Sequence, residues 1–160
     1  IDGTINFMHG IPHFAISIAL KVNGDLKTGL IYDPIKNEIF YAEKKSGAFF
    51  NNHRIRVSSK IDLDDCLFSS SNSGIKYVSP LLNMRNTGCA ALDMAYVGCG
   101  RLDGLFYNNI NIWDIAAGIL IIVEAGGKVS DISHFEDNVL DIRASNSNIY
   151  QKMLEKIKNF

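Results

Sequence analysis

The first third of the chain alternates apolar and polar residues with the period of two that is typical of β-strands. Two such runs, 13–20 and 26–32, flank the turn residues Asn23-Gly24-Asp25, and a third run covers 38–43. A fourth apolar segment leads through Asn51-Asn52 to a fifth that ends at Val57. Because the connections are short, the pattern predicts an antiparallel meander. Its aromatic side chains are predicted to form one packing face: Tyr32, Phe40, Tyr41, Phe49 and Phe50.

Beyond a polar stretch at 58–65, strand-like and helix-like segments alternate. Residues 66–70 are predicted to form a buried strand, 90–99 a tightly packed helix, and 102–107 another strand. The polar stretch is therefore the predicted boundary between two subdomains, 1–60 and 61–160. An antiparallel first half beside a mixed second half predicts an α/β (α+β) fold.

The clearest helix begins at Trp113-Asp114 and ends at Glu124, just before Gly126-Gly127. Apolar residues cover nearly its whole circumference, which is typical of a central, buried helix. Short strands are predicted at 128–131 and 139–143, and Ser147 is the predicted cap of a last amphipathic helix.

Composition limits the partners and the compartment. The net charge of −1 and the lack of a basic block argue against strong nucleic-acid binding, which requires a Lys/Arg surface. The longest apolar stretch, 115–123, is too short to span a bilayer, so no membrane partner is expected. Three cysteines without metal-ligand spacing predict buried thiols in a reducing cytoplasm: Cys66, Cys89 and Cys99.

Three sites could carry chemistry, and each has a simpler structural interpretation. Asp2-Gly3-Thr4 offers a carboxylate, close backbone approach and a hydroxyl, but Asp-Gly is also a strong turn signal. Asp114 could bind a metal or phosphate group at its helix start, or could simply cap that helix. Gly88-Cys89-Ala90 could present N–H groups to a phosphate, or could only begin a tightly packed helix.

Two segments in register resemble the signatures of the inositol monophosphatase family. Residues 1–7, followed by Pro12, are similar to its D-P-x-D-G-T-x-N-F-x-x-x-x-P signature. Residues 113–118 and 124–127 resemble its W-D-x-A-A-G and E-A-G-G motifs. Residues 88–104 are similar to the segment between the two, so the likeness covers nearly all of the chain.

The resemblance implies Mg²⁺-dependent hydrolysis of an inositol or sugar phosphate, a small-molecule phosphate monoester, by a metal-activated water. Asp2, Asp114 and the carbonyl of Ile1 would be the metal ligands, and Asp2 and Thr4 the catalytic residues, with Thr4 orienting the water. Residues that would hold the phosphate or the substrate hydroxyls are Gly3, Thr4, Gly88, Cys89, Ala90, Tyr107 and Asp114. The resemblance also implies a sandwich of alternating helix and sheet layers, with 1–60 belonging to a metal-binding subdomain, and a homodimer.

Three departures from the family pattern qualify this hypothesis. The family signature begins with an Asp-Pro, and a Glu from an earlier helix joins the site; neither precedes Ile1 here. The chain is therefore expected to be a C-terminal portion of the family fold, with weak Mg²⁺ binding, little activity of its own and one bare sheet face. Tyr107 stands where the family usually has Glu, so inositol specificity is not implied. Residues 74–85 are shorter than the family's helix-containing stretch, so a covering helix is expected to be lost.

An alternative hypothesis belongs to another functional class. The chain would be a catalytically inactive, truncated relative that persists as a folded remnant or as a protein-interaction module. The family includes bacterial members that bind transcription machinery, which makes an interaction role a definite alternative. The sequence preceding Ile1 in the source gene would discriminate between the two hypotheses.

Overall fold

Two β-sheets enclose a pair of helices in the computed structural model of the chain, which describes residues 1–71, 82–130 and 138–158. Within these residues each sheet has five strands. The first sheet consists of β1 (Ile16–Val22), β2 (Asp25–Asp33), β3 (Glu38–Glu43), β4 (Gly47–Phe50) and β5 (His53–Arg54). These strands pair in chain order and are all antiparallel, which confirms the predicted meander.

The aromatic residues of this sheet do not share one face, so that prediction was wrong. Phe40 pairs with Phe50 and faces the core, whereas Tyr41 pairs with Phe49 on the other side. The Tyr41 and Phe49 rings stack at 5.1 Å between centroids. Successive side chains of a strand point to opposite faces, and adjacent aromatic residues are therefore separated by the pleat.

The outer face of the first sheet is apolar along its edge strand. Ile16, Ile18, Leu20 and Val22 of β1 are 40%, 59%, 53% and 41% exposed. Alternation along β1 places these four side chains away from the helices, where they form an exposed apolar stripe.

The second sheet is mixed and has the order β7-β6-β8-β10-β9. Its strands are β6 (Leu67–Ser70), β7 (Asn83–Arg85), β8 (Gly104–Asn111), β9 (Lys128–Val129) and β10 (Val139–Ser145). β6 runs parallel to β7 and β8, and the remaining pairs are antiparallel. The predicted strands are present, while β7 was not predicted. The prediction that a covering helix is lost refers to residues 74–85. Residues 74–81 of this stretch lie outside the described residues.

The helices within the described ranges are α1 (Thr4–Met8), α2 (Ala90–Gly98), α3 (Ile112–Glu124) and α4 (Tyr150–Lys156), and Leu63–Asp65 forms a 3₁₀ turn. α2 and α3 pack against the first sheet with one face and against the second sheet with the other. The prediction of a buried central helix is confirmed, because α3 is buried from Ile115 to Ile122. Its first turn is less enclosed, since Trp113 is 59% exposed.

α4 covers the far side of the second sheet, where Met153 and Ile157 pack with Phe68 and Phe106. The predicted cap of this helix was wrong. The Ser147 hydroxyl donates to the carbonyl of Gly126 at 2.8 Å, and the side chain of Asn146 instead accepts the N–H groups that precede the helix.

These contacts give four layers in the order sheet, helices, sheet, helix, which confirms the predicted layered α/β fold. No helix in the described part of the chain is long and apolar enough to cross a membrane.

Candidate active site

The Asp2 carboxylate joins the start of the chain to the start of α2. The backbone of Asp2 forms a two-hydrogen-bond bridge with Ala15, at 2.9 and 3.0 Å, which holds it beside β1. Its Oδ1 accepts the N–H of Gly3 at 2.7 Å, and its Oδ2 accepts the N–H of Ala91 at 2.6 Å. Ala91 lies in the first turn of α2, where an unpaired N–H group favours a carboxylate partner. Asp2 is thus an N-terminal capping residue for a helix that is distant in sequence.

Gly3 lets the chain turn directly into α1. Its φ of +81° is left-handed, and a Cβ at this position would lie 2.9 Å from the carbonyl oxygen of His13. A residue with a side chain would meet both backbone strain and a clash. The predicted Asp-Gly turn is therefore the entry to a short helix that begins at Thr4.

Asn6 connects the two walls of the cleft that opens beside Asp2. Its Nδ2 donates to the carbonyl of His13 at 2.8 Å and to the carbonyl of Thr87 at 2.9 Å. Gly88 follows Thr87 with φ +76°, and a Cβ there would lie 3.1 Å from Asn6 Nδ2. The sequence motif contains Asn6, but its structural role was not predicted, because both acceptors are backbone carbonyls that no residue pattern reveals.

The cleft has a volume of about 450 Å³. Its lining residues are Asp2, Gly3, Thr4, Ile5, Asn6, Asn86, Thr87 and Gly88. The structure thus brings together four of the predicted site residues, Asp2, Gly3, Thr4 and Gly88. The predicted phosphate-binding residues Cys89 and Ala90 lie behind this surface and are buried at the start of α2.

Cys89 is unsuited to act as a nucleophile. Its thiol is fully buried and donates to Asp2 Oδ2 at 3.4 Å. Burial, and then the negative charge of Asp2, hold the pKa of the thiol far above its ordinary value. The thiol therefore stays protonated near neutral pH, and the nucleophilic form is the thiolate.

Asp114 lies in the first turn of α3 and is electrostatically coupled to Asp2. Burial, and then repulsion by Asp2, raise the pKa of the Asp114 carboxyl, whereas a hydrogen bond with Asn111 lowers it. Asp2 and Asp114, two of the three predicted metal ligands, are therefore close enough to interact electrostatically. A cation placed at this pair would relieve their repulsion. The role of the Ile1 carbonyl stays a prediction.

The donor set fits a hard divalent cation that retains some of its water. In the described ranges no cluster of three or more His, Cys, Asp or Glu side chains could hold a metal ion. The predicted ligands, two carboxylates and one backbone oxygen, are fewer than in a metal site where the protein supplies every ligand. Mg²⁺ accepts such a set, because it is bound through one or two carboxylates, water and substrate phosphate.

A second carboxylate near the cleft, Asp93, was not predicted. It is fully buried in α2, and burial raises its pKa to about 6. It accepts hydrogen bonds from Ser69 Oγ at 2.6 Å, Tyr107 Oη at 2.5 Å and Thr87 Oγ1 at 2.9 Å. An acidic residue inside an otherwise small and apolar helix was the available sequence signal.

Tyr107 is placed in this buried cluster, with 6% of its surface exposed and its hydroxyl directed to Asp93. It does not line the cleft. A direct contact of Tyr107 with substrate stays a prediction, as do the metal and phosphate roles of the other site residues.

Comparisons with known proteins agree on one family. The profile of the inositol monophosphatase family matches residues 1–159. A protein from Thermotoga maritima named fructose-1,6-bisphosphatase/inositol-1-monophosphatase is 47% identical, and the match covers 86% of this chain and 57% of the relative. Nus factor SuhB of Escherichia coli (strain K12) is 38% identical, and the match covers 99% of this chain and 65% of the relative.

Solved structures match along almost the whole chain. The crystal structure of extragenic suppressor protein suhB from Bartonella henselae superposes with a TM-score of 0.90 and 45% identity, over 98% of this chain and 69% of that one. Inositol monophosphatase from Anabaena (Nostoc) superposes with a TM-score of 0.89 and 32% identity, over 99% of this chain and 72% of that one. The chain spans 57% to 65% of the length of the two curated relatives described above. The profile match, the sequence identities and the superpositions together show that the chain belongs to the inositol monophosphatase family.

Proposed function

We propose that this chain carries the phosphate-binding cleft and two carboxylate ligands of a Mg²⁺-dependent phosphomonoesterase. The observation that supports the proposal is that Asp2 lines an open cleft, and that burial and then the charge of Asp2 raise the pKa of the Asp114 carboxyl. Two like charges held near each other raise the pKa of one of them, and such pairs are common at functional sites. Family membership supports the same reaction class.

Each predicted metal ligand and each predicted catalytic residue has a place in this proposal. Mg²⁺, when bound, would activate a water, neutralise the phosphoryl oxygens and stabilise the leaving alkoxide. Asp2, Asp114 and the Ile1 carbonyl would hold the cation, and the exposed Thr4 hydroxyl would orient the attacking water. The turns at Gly3-Thr4 and Gly88 would receive the phosphate group. The Gly3 N–H already donates to Asp2, so that turn would bind phosphate through the groups that follow it.

The proposed substrates are small phosphate monoesters of inositol or of a sugar. The printed names of the relatives support both, since they include an inositol-1-monophosphatase and a fructose-1,6-bisphosphatase. The Tyr107 hydroxyl donates a hydrogen bond to Asp93, and position 107 offers no carboxylate to a substrate hydroxyl. The proposal therefore includes sugar phosphates as well as inositol phosphates, and the homodimer of the original hypothesis stays a prediction.

The test is phosphate release from inositol 1-phosphate and fructose 1,6-bisphosphate, with and without Mg²⁺. Both the 160-residue chain and the full reading frame of its source gene are assayed. We expect Mg²⁺-dependent release from the full gene product, lost in Asp114→Asn and kept in Asp64→Asn, a matched change at an exposed turn. We expect little release from the 160-residue chain, because the other acidic ligands that the family uses are not in it. Unchanged release by the Asp114→Asn full gene product would contradict the proposal.

A second candidate function is non-catalytic interaction with transcription machinery. It is favoured by the similarity to proteins named Nus factor SuhB, one of them 38% identical across 99% of this chain. The test is binding of the full gene product to purified RNA polymerase of the same organism. This candidate predicts binding that survives Asp114→Asn, and a lack of binding would contradict it.

A further inference from the structure

The strongest unexplained feature is the buried cluster of hydroxyl groups around Asp93. Ser69 and Tyr107 both donate to Oδ2, at 2.6 and 2.5 Å, while Thr87 donates to Oδ1 at 2.9 Å and to Oδ2 at 3.0 Å. Asp93 has no exposed surface. A buried carboxylate is tolerated only when its oxygens are hydrogen-bonded, so the three hydroxyls stabilise a group that would otherwise destabilise α2.

One of the three hydroxyls belongs to a residue of the cleft. Thr87 lines the cleft, and its carbonyl accepts the amide of Asn6 at 2.9 Å from the opposite wall. Its Oγ1 also accepts the N–H of Cys89 at 3.2 Å while it donates to Asp93. Thr87 is therefore held from one side by Asn6 and from the other by Asp93, and the left-handed Gly88 lies immediately after it.

The other two hydroxyls come from the second sheet. Ser69 lies in β6 and Tyr107 in the neighbouring β8. Asp93 in α2 thus links the second sheet to the turn that forms one wall of the cleft. A change at Tyr107 would reach the cleft through the carboxylate, although Tyr107 itself does not line it.

We propose that Asp93 and Tyr107 are positioning residues that hold the Thr87-Gly88 turn in place at the cleft. The consequence for substrate rests on the proposed function, whereas the effect on the turn does not. Tyr107 orients the carboxylate, Asp93 anchors the Thr87 hydroxyl, and Thr87 in turn fixes Gly88 and the N–H of Cys89. The structure thereby assigns Tyr107 a role that requires no contact with substrate.

The first test measures the turn directly, in the 160-residue chain and without ligand. Amide hydrogen exchange by NMR is compared at Cys89, whose N–H donates to Thr87 Oγ1, for wild type, Tyr107→Phe and Thr87→Val. We expect exchange at least about fivefold faster at this amide in both variants, as for the loss of one hydrogen bond. Tyr150→Phe is the matched control, because Tyr150 is a buried tyrosine on the far side of the second sheet. Thr87→Ser retains the hydroxyl and should restore slow exchange.

A double-mutant cycle then tests whether Tyr107 acts through the Thr87 contact. In the Thr87→Val background, Tyr107→Phe should change the exchange rate of the Cys89 amide by less than half as much, on a logarithmic scale, as it does in wild type. Equal effects in both backgrounds, or exchange in Tyr107→Phe that matches Tyr150→Phe, would overturn the proposal. Because Tyr107→Phe keeps the ring, its packing in the core is retained.

The second test uses the full gene product with fructose 1,6-bisphosphate and Mg²⁺. We expect Tyr107→Phe and Thr87→Val to raise KM about fivefold or more and to leave kcat within about twofold, since the turn binds phosphate and does not carry the reaction. An unchanged KM alongside the faster exchange would remove the link to substrate. A wild-type enzyme that releases no phosphate would contradict the proposed function, while the exchange measurement would still decide the positioning role.

Discussion

At the scale of single residues, Asp2 and Asp114 differ although both are proposed metal ligands. Asp2 also stabilises the fold, because it accepts the N–H groups of Gly3 and Ala91. Asp114 has a raised pKa, caused by burial and then by Asp2. Its ionised form is therefore less favourable in the folded chain than in the unfolded one.

This difference predicts opposite effects on stability when no metal is present. Asp2→Ala should lower the free energy of unfolding by roughly 1 to 2 kcal/mol, as for the loss of a helix-capping carboxylate. Asp114→Asn should raise it slightly at neutral pH, because it removes the repelling charge. Urea denaturation in EDTA measures both, and a destabilised Asp114→Asn would show that Asp114 supports the fold.

Asn6 is the residue whose replacement should separate the walls of the cleft. In Asn6→Asp both amide donations are lost, and a negative charge faces the carbonyls of His13 and Thr87. We expect a loss of roughly 2 to 3 kcal/mol in the free energy of unfolding, measured by urea denaturation. The control is Asn52→Asp at an exposed turn, which should change stability by less than about 0.5 kcal/mol. Similar effects at both positions would contradict the bridging role of Asn6.

Asp93 should give the fold a characteristic dependence on pH. Its pKa in the folded chain is about 6, compared with an ordinary value of 3.8, so between these values the folded chain keeps a proton that the unfolded chain has released. The contribution of Asp93 to stability is therefore least unfavourable below about pH 4 and falls as pH rises to about 6. As pH rises across this window, the free energy of unfolding of Asp93→Asn should increase relative to that of wild type by up to roughly 3 kcal/mol. A stability difference that is constant from about pH 4 to 7 would contradict the shifted pKa.

At the scale of elements, the close crossing of α2 and α3 holds the site together. A Cβ at Gly118 in α3 would lie 2.2 Å from the Cβ of Met94 in α2. The start of α2 is bonded to Asp2, and the start of α3 carries Asp114. The distance between the two helices therefore determines how the two carboxylates face each other.

Gly118→Ala tests this crossing. Alanine normally favours a helix, yet here we expect the free energy of unfolding to fall by roughly 2 to 3 kcal/mol because of overpacking. The control is Gly126→Ala, whose Cβ would meet nothing within 4 Å and whose left-handed backbone alone should cost about 1 kcal/mol. Thermal unfolding measures both, and an equal or smaller loss at Gly118 would contradict the tight crossing.

The elements that could be predicted from sequence have strong periodicity or punctuation. β1 to β3 alternate clearly around Asn23-Gly24, and α3 has a long apolar run that ends before Gly126. β7 has three residues and pairs in parallel with β6, so no local pattern marks it. Ser147 is a typical capping residue by type, but the side chain of Asn146 is the one that reaches the free N–H groups.

At the scale of the whole molecule, the candidate site combines the beginning of the chain with the first turns of α2 and α3. The signature motifs predicted that Asp2, Thr4, Gly88 and Asp114 belong together, because motifs record residues that act jointly. They did not predict Thr87 or Asp93, whose roles depend on hydroxyl and carbonyl contacts across layers. Residue types locate a site along the chain, whereas side-chain support from other layers is visible only after folding.

A cation at Asp2 and Asp114 would join these distant segments and should therefore stabilise the entire fold. A ligand that binds only the folded state adds RT ln(1 + [L]/Kd) to the free energy of unfolding, about 2.7 kcal/mol at a hundred times Kd. Weak binding, as expected from the small donor set, shifts this response to higher Mg²⁺ concentration without abolishing it.

The most direct test of the central claim is thermal unfolding of the 160-residue chain during a Mg²⁺ titration, with wild type, Asp114→Asn and the control Asp64→Asn compared at constant ionic strength. We expect a saturable rise in Tm for wild type and for Asp64→Asn, and little or no rise for Asp114→Asn. An equal rise in Tm for all three proteins would contradict the claim that Asp2 and Asp114 form a metal site.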